Sequence, residues 1–463
     1  MGKIATTALL LLANLMCLSQ PRITHYDLQY SFDFDEKKLF GTATITIDLN
    51  PADTLNLLLY RLIKVRSVKD TQGQAIPFTQ TVKAFEGWEQ FQVNTIQVIP
   101  LTALKKIVLE YDGYLKGYTE TGMQYTKDQV DSSFTILRPD CFAYPEAGVA
   151  DWDKYSNQET NYFDYKVSVI VPNALNVING GLLVSITKEK ALSTYVYTNR
   201  KPAWRIDIAI GKYRSYQDED FVIHYFPEDS LRVRSVGEYV KKAYSLYEKW
   251  FGEKNGDQYA IIEIPDKWGS QTDVTCILQE AAAIKDDKRM YELYHEISHI
   301  WNLKPLDRSP SRLESEGLAV FLQYLVTEKL SGTAQPAPHF VAGDVTDRNT
   351  NSLDEVAKRI LQRVTKLFER DPKMAAIPIA EYGPNQLTDL SYTKGMLFFY
   401  SLYKKVGEEK FMSAIREYYT RYKTTGATLK EFSESMSKSL PGTGPMIEKW
   451  LFTNTPLTDL IKT

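Results

Sequence analysis

Histidine is scarce in this chain: His25, His224, His295, His299 and His339 are the only five in 463 residues. Two of them share the segment YELYHEISHIW, where His295, Glu296 and His299 form the pattern H-E-x-x-H. Imidazoles four residues apart on a helix lie on one face and can converge on a single metal ion. Glu296 is turned by about 100° from His295. That leaves it near a water at the metal without making it a ligand. Such a set points to hydrolysis, in which the metal polarises a carbonyl and Glu296 moves the proton. The competing reading is a pair of helix-face histidines in ordinary hydrogen bonds, and the rarity of histidine here argues against it.

A tetrahedral catalytic zinc site needs a third protein ligand and one open position. Downstream, SPSRLESEGLAVFLQYLVTEKL offers Glu314 and Glu316, two residues apart and therefore on different helix faces. Glu316 is followed by Gly317 and Ala319, small residues that would let this helix come close to the first. Glu314 reads more simply as a first-turn carboxylate favoured by the helix dipole. The expected ligand set is therefore His295, His299 and Glu316 around one Zn2+ ion.

These residues need two helices to carry them. Met290, Leu293, Tyr294, Ile297 and Trp301 surround the first motif without Gly or Pro, as a buried helix requires, and Leu318, Phe321, Leu322 and Leu325 recur at helical spacing in the second. Upstream, RVRSVGEYVKKAYSLYEKWFG has helical spacing and stops at Gly252, and YAIIEIP reads as a short strand. Before about residue 217 the pattern changes to period two, in YDLQYSFDF, GTATITIDL, KKIVLEYDGY, DYKVSVIVP and STYVYTN. The fold class is thus α+β in two domains. A β-rich domain is expected over 20–217, and a mostly helical zinc domain over 218–463.

Residues 1–19 read differently. Lys3, an apolar run from Ile4 to Leu18 and the small Ser19 make a signal peptide, so the protein is expected to be exported. Cys17 raises lipid attachment, with Met16 a poor neighbour for it, and the run is short for a spanning anchor. No later stretch is apolar enough to cross a membrane. The remaining Cys141 and Cys276 allow one bridge at most and are expected as two separate buried thiols. Lys+Arg 55 against Asp+Glu 58 gives a net charge of −3, which provides no basic field for nucleic acid.

H-E-x-x-H followed by S-E-G-L-A resembles the gluzincin metallopeptidases, and among them the aminopeptidase N and leukotriene hydrolase family. The resemblance implies a saddle-like N-terminal β domain and a thermolysin-like catalytic domain. It also implies Glu316 as third ligand, although the loop of sixteen residues from His299 to Glu316 is two shorter than is usual there. SYTKGMLFF is similar to the family's S-Y-x-K-G segment, which implies that Tyr392 donates to the oxyanion of the tetrahedral intermediate.

Two departures bear on the substrate. The family's G-A-M-E-N segment carries a Glu that binds a free α-amine. The comparable WGSQTDV puts Gly269 at the Gly, and Thr272 where that Glu would be. FTILRPDCF places Arg138 near a second anchor, and an Arg repels an ammonium group. Asp273, Gln271 and Glu280 are the candidates to take over the amine. The chain is also too short for the large helical domain that roofs the cleft in many relatives. Three readings stay open at this point. They are an aminopeptidase-like zinc peptidase acting on peptides, a zinc hydrolase or endopeptidase that ignores a free N-terminus or takes a small acyl substrate, and a non-catalytic binding module.

Overall fold

The computed structural model describes residues 22–48, 54–99, 105–156, 158, 160–253, 258–303, 311–330 and 352–460. The expected signal peptide over 1–19, with Cys17, lies outside the described residues, as does His339. Among the described residues no helix is long and apolar enough to cross a membrane.

Alternation builds the first half. Strand Arg22–Asp33 buries Ile23, then Tyr26, Leu28 and Tyr30. The change from odd to even positions falls where the register shifts between Ile23 and His25, because a bulged residue re-aims every side chain after it. Seven strands form the main sheet, in the order Leu182–Glu189, Leu192–Thr198, Asp164–Pro172, Arg22–Asp33, Lys38–Asp48, Lys106–Tyr114 and Ile63–Lys69. Only the pairing of Arg22–Asp33 with Asp164–Pro172 is parallel. A second sheet of four (Phe78–Phe85, Trp88–Val98, Leu55–Tyr60, Glu146–Ala147) shares its core, where Tyr26, Leu28 and Ile45 meet Leu57, Leu59 and Ile96. Cys141 and Cys276 are both free and buried, as the sequence leads one to expect.

The second half is built on a five-stranded sheet ordered Arg214–Gln217, Phe221–Tyr225, Tyr259–Ile264, Cys276–Glu280, Gln271–Thr272. Its first two strands form a hairpin that straddles residue 217, so this sheet begins just before the break expected from sequence. Gln271–Thr272 lies at the opposite edge, antiparallel to Cys276–Glu280. A three-stranded sheet (Asn176–Asn179, Ile208–Gly211, Phe134–Leu137) joins the halves. Its Phe134, Ile136, Ile178 and Ala209 share one core with Ile262, Ile264, Trp268 and Leu278. That shared core holds the edge strand Gln271–Thr272 in register with loops of the β-rich half.

Among the described residues, eight longer helices complete the second half: α1 (Val233–Phe251), α2 (Met290–Ser298), α3 (Leu318–Leu330), α4 (Leu353–Arg370), α5 (Thr388–Val406), α6 (Glu408–Tyr422), α7 (Leu429–Ser439) and α8 (Gly444–Phe452). Helix α1 buries Val233, Val236, Val240, Tyr244 and Tyr247 at three- and four-residue spacing. It stops at Gly252, whose φ of 97° is open to glycine at little cost. The Tyr247 hydroxyl donates to the Tyr294 carbonyl at 2.8 Å, pinning α1 to the helix that carries the first motif.

Candidate active site

Helix α2 delivers His295 and Glu296, but its α-helical winding ends at Ser298. His299–Trp301 continue as a tighter turn closed by Asn302 N–H on the His299 carbonyl at 3.0 Å. Such tightening satisfies carbonyls that a helix end leaves without partners. His299 keeps right-handed helical angles (φ −65°, ψ −15°), so the i, i+4 relation to His295 survives.

Glu316 does not sit in an ordinary first turn. Before α3, Leu313–Gly317 wind as a π-turn, in which the Arg312 carbonyl accepts from both Glu316 N–H (2.9 Å) and Gly317 N–H (3.2 Å). The wide turn swings Glu316 toward the histidines and Glu314 away from them, to the Tyr418 hydroxyl. Gly317 is small for a different neighbour than the sequence suggests. A Cβ there would lie 2.9 Å from Gly395 Cα and 2.9 Å from the Ser391 carbonyl oxygen, so the close approach is to α5, the helix of Tyr392.

The three donors form a triangle. His295 Nε2 is 3.1 Å from His299 Nε2 and 3.2 Å from Glu316 Oε2, and His299 Nε2 is 3.5 Å from the same oxygen. A tetrahedral zinc with bonds of about 2.05 Å needs its ligands about 3.3 Å apart. The triangle therefore fits one such ion without rearrangement. Among the described residues, His295, His299 and Glu316 are the one cluster of this kind. The other ring nitrogens are engaged: His295 Nδ1 meets Gln323 Oε1 at 2.7 Å, and His299 Nδ1 meets the Asn302 side-chain amide at 2.7 Å. Donation from His295 Nδ1–H to Gln323 leaves the Nε2 lone pair free for a metal ion.

Electrostatics support that role. Burial disfavours charge on both His299 and Glu316, yet their mutual attraction wins. His299 is held up at about 9, and Glu316 falls well below the usual carboxylate range through His299 and His295. A metal entering this site at neutral pH would displace the imidazolium proton.

Gln323 and Asn302 were not among the residues singled out in the sequence. For Gln323 a signal existed: it lies seven residues after Glu316, about two helical turns on and so on the same face. Loss of such a supporting partner typically costs 10- to 100-fold in metal affinity. Gln323→Ala is expected to weaken zinc binding by about that factor, measured by competition with a chromogenic chelator. Wild-type affinity would show that His295 needs no support.

Glu296 is buried and accepts from the Thr272 hydroxyl, at 2.7 Å from its Oε2, with the Glu296 carbonyl also 2.9 Å from that hydroxyl. Thr272, placed by sequence at the amine anchor, thus meets the carboxylate expected to move the proton. Gln271 is locked between Asp140 and Arg205, at 2.6 Å from each, and Arg205 also pairs with Asp207. Asp273 is buried. Burial, then the nearby Asp207, push its carboxyl up to about 7. Gly269 (φ 76°) gives its N–H to Glu280 at 2.8 Å, and a Cβ there would touch the Tyr125 ring at 2.9 Å. Arg138 is fully buried, pairs with Asp128 through contacts of 2.9–3.1 Å and donates to the Tyr125 carbonyl. It therefore presents no charge to a substrate.

Tyr392 stacks parallel to His295, with ring centres 6.3 Å apart. Burial first, and then Glu316, raise its phenol well above the ordinary range, while Arg312 opposes them. The phenol stays protonated and able to donate.

A β-rich unit joined to a helical unit that brings His, His and Glu to one point is the arrangement that the sequence resemblance to the gluzincins implies. Comparison with known proteins points the same way. Residues 267–450 match the peptidase family M1 domain. The probable aminopeptidase 1 of Sulfurisphaera tokodaii is 22% identical over 299 residues, which cover 59% of this chain and 36% of that protein. The chain therefore spans about a third of the length of that curated relative. Among solved structures, an M1 zinc metallopeptidase from Deinococcus radiodurans bound to a Tyr-Ser-Ala substrate has a TM-score of 0.65 at 17% identity, covering 93% of this chain and 94% of that one. Native yeast LTA4 hydrolase has a TM-score of 0.67 at 15% identity, covering 95% and 69%. At these identities the structural likeness establishes the two-part fold.

Proposed function

We propose that the chain is a zinc-dependent metallopeptidase that hydrolyses peptide bonds. The observation that carries this reading is the donor triangle of His295, His299 and Glu316, with Glu296 beside it and outside it. Zinc held there supplies a Lewis acid and lowers the pKa of water toward ~7. Glu296, fixed by Thr272, would take a proton from the attacking water and return it to the leaving amine. Tyr392 would donate its hydroxyl to the developing oxyanion. Gln271–Thr272, half-buried at the edge of the five-stranded sheet, would offer backbone groups to an extended peptide bound as an added strand. Lys3 and the apolar run behind it support export of the mature protein.

An aminopeptidase-like activity is supported by the M1 match and the Sulfurisphaera relative. A second reading, hydrolysis without recognition of a free N-terminus, is favoured by one specific observation. Of the residues that could hold an ammonium group, Thr272 serves Glu296, Gln271 is locked by Arg205, Asp273 is buried, and Glu280 accepts from Gly269 N–H and lies 3.9 Å from Arg289. The test is the zinc-loaded mature protein on paired peptides, one with a free and one with an acetylated N-terminus, read by mass spectrometry. With Thr272 at the anchor position, acetylation is expected to cost less than about tenfold, the worth of one weak polar contact. Stepwise trimming of the free peptide alone would establish an aminopeptidase and overturn the second reading. No cleavage of either peptide would count against the peptidase.

A further inference from the structure

We propose that Arg312 binds a carboxylate of the substrate, and that the cleft selects peptides with an anionic group close to the scissile bond. This inference rests on the peptidase reading and deepens it.

Arg312 immediately precedes the π-turn of Glu316. Its side chain is exposed, and its guanidinium interacts with Tyr392, Glu316 and Tyr125. It therefore stands between the phenol expected at the oxyanion and the wall contributed by the β-rich half, where the Tyr125 ring leaves no room for a Cβ at Gly269. Its backbone is left-handed, with φ 57° and ψ 14°. Glycine would take that conformation at lower cost, by about 1–2 kcal/mol relative to other residues. The turn thus keeps a long cationic side chain where the backbone would be easier without one, a pattern that concentrates at functional sites.

Charge completes the argument. Among the described residues no carboxylate comes within 4.0 Å of the Arg312 guanidinium nitrogens as an ion-pair partner; Glu316, the acid acting on it, is committed to His295 and His299. With a divalent ion bound, Glu296 and Glu316 would offset its charge, leaving the guanidinium with the Tyr392 and Tyr125 phenols as its other partners among the described residues. The edge strand adds nothing negative, since Gln271 and Thr272 are neutral and Asp273 is buried. A guanidinium with no carboxylate of its own among the described residues, beside an edge strand whose Gln271 is engaged and whose neighbour Asp273 is buried, favours an anionic group. An Arg fork also matches a carboxylate in geometry.

The carboxylate can come from an acidic side chain or from a free C-terminus, and the assay separates them. Four N-acetylated peptides of one length would be compared on the zinc-loaded full chain: Glu or Gln next to the cleaved bond, each with a C-terminal acid or amide. The expected result is a kcat/KM about 10- to 100-fold higher for one carboxylate-bearing member over its amide twin, shrinking as ionic strength rises. Arg312→Gln should bring that ratio close to one, and Arg312→Lys should restore part of it. Binding of the same four peptides to the Glu296→Gln protein, read by calorimetry, should follow the same order without turnover. A wild-type ratio near one, or an Arg312→Gln protein that slows all four alike, would overturn the proposal; the latter would tie Arg312 to Tyr392 instead. Carboxylate-selective binding without any cleavage by the wild type would keep the role of Arg312 and sink the peptidase reading. Absence of selective binding would sink the role of Arg312 whatever the turnover.

Discussion

Glu296→Gln is expected to lower turnover by about 10²- to 10⁴-fold, the usual contribution of a positioned general base, while the protein keeps its zinc. The reason lies in the division of labour around α2. The proposed metal donors, His295 Nε2, His299 Nε2 and Glu316 Oε2, already stand at mutual distances of 3.1, 3.2 and 3.5 Å without any part from Glu296. Glu296 instead accepts from the Thr272 hydroxyl at 2.7 Å. Glutamine has the same shape, and its carbonyl oxygen can still accept that bond, so packing and the rotamer are retained. Only the ability to take up a proton is lost. Metal analysis by mass spectrometry and kcat on a cleaved peptide would be measured on the same preparation. Loss of activity with wild-type zinc content is the expected pair. Wild-type turnover would remove Glu296 from the chemistry, and loss of the metal would mean that the donor set extends beyond the triangle.

How much of this was legible beforehand depended on whether a feature is local. The cluster of His295, His299 and Glu316 was readable because the two histidines are four residues apart on one helix, a relation fixed by helix geometry. The β-to-helical change was equally readable, since burial alternates along Arg22–Asp33 and recurs every three or four residues along α1. Gln323 was within reach by the same logic, on the same face of α3 as Glu316, but its value depends on knowing that His295 points at it. Thr272 is different in kind. Its contact with Glu296 spans 24 residues and depends on an edge strand folding beside α2, which spacing alone does not encode. Arg138 shows the opposite error. A charged residue near the expected cleft looks like a substrate contact until Asp128, ten residues away, turns out to neutralise it in the interior. The π-turn at Leu313–Gly317 was also hidden, because an extra residue in a turn leaves the residue types of an ordinary helix start unchanged.

The second large effect is expected at Gly317, which is neither a ligand nor a catalytic group. Its added Cβ would meet only backbone: Gly395 Cα and the Ser391 carbonyl oxygen at 2.9 Å, and Gly395 C at 3.2 Å. Backbone inside a helix cannot rotate aside, so α5 and the π-turn must separate. Those two elements carry Tyr392 and Glu316, whose mutual position sets the distance between the proposed oxyanion donor and the proposed third metal ligand. Overpacking of this kind costs about 1–3 kcal/mol in stability. A displacement near 1 Å at a reacting centre can cost about 10²-fold in rate. Gly317→Ala is therefore expected to lower kcat/KM by about two orders of magnitude, with weakened zinc binding and a lower Tm. Gly395→Ala supplies the internal control. Its Cβ would press on Gly317 Cα at 2.9 Å, but its next contact is the tip of Leu313 at 3.1 Å, a side chain that can move. The milder loss should thus fall on Gly395→Ala, and the two substitutions together should cost less than their sum because they relieve one another's contact once the helices have parted. A Gly317→Ala protein with wild-type Tm, zinc affinity and turnover would show that the spacing of Glu316 and Tyr392 is set elsewhere, by α2 and α3 alone.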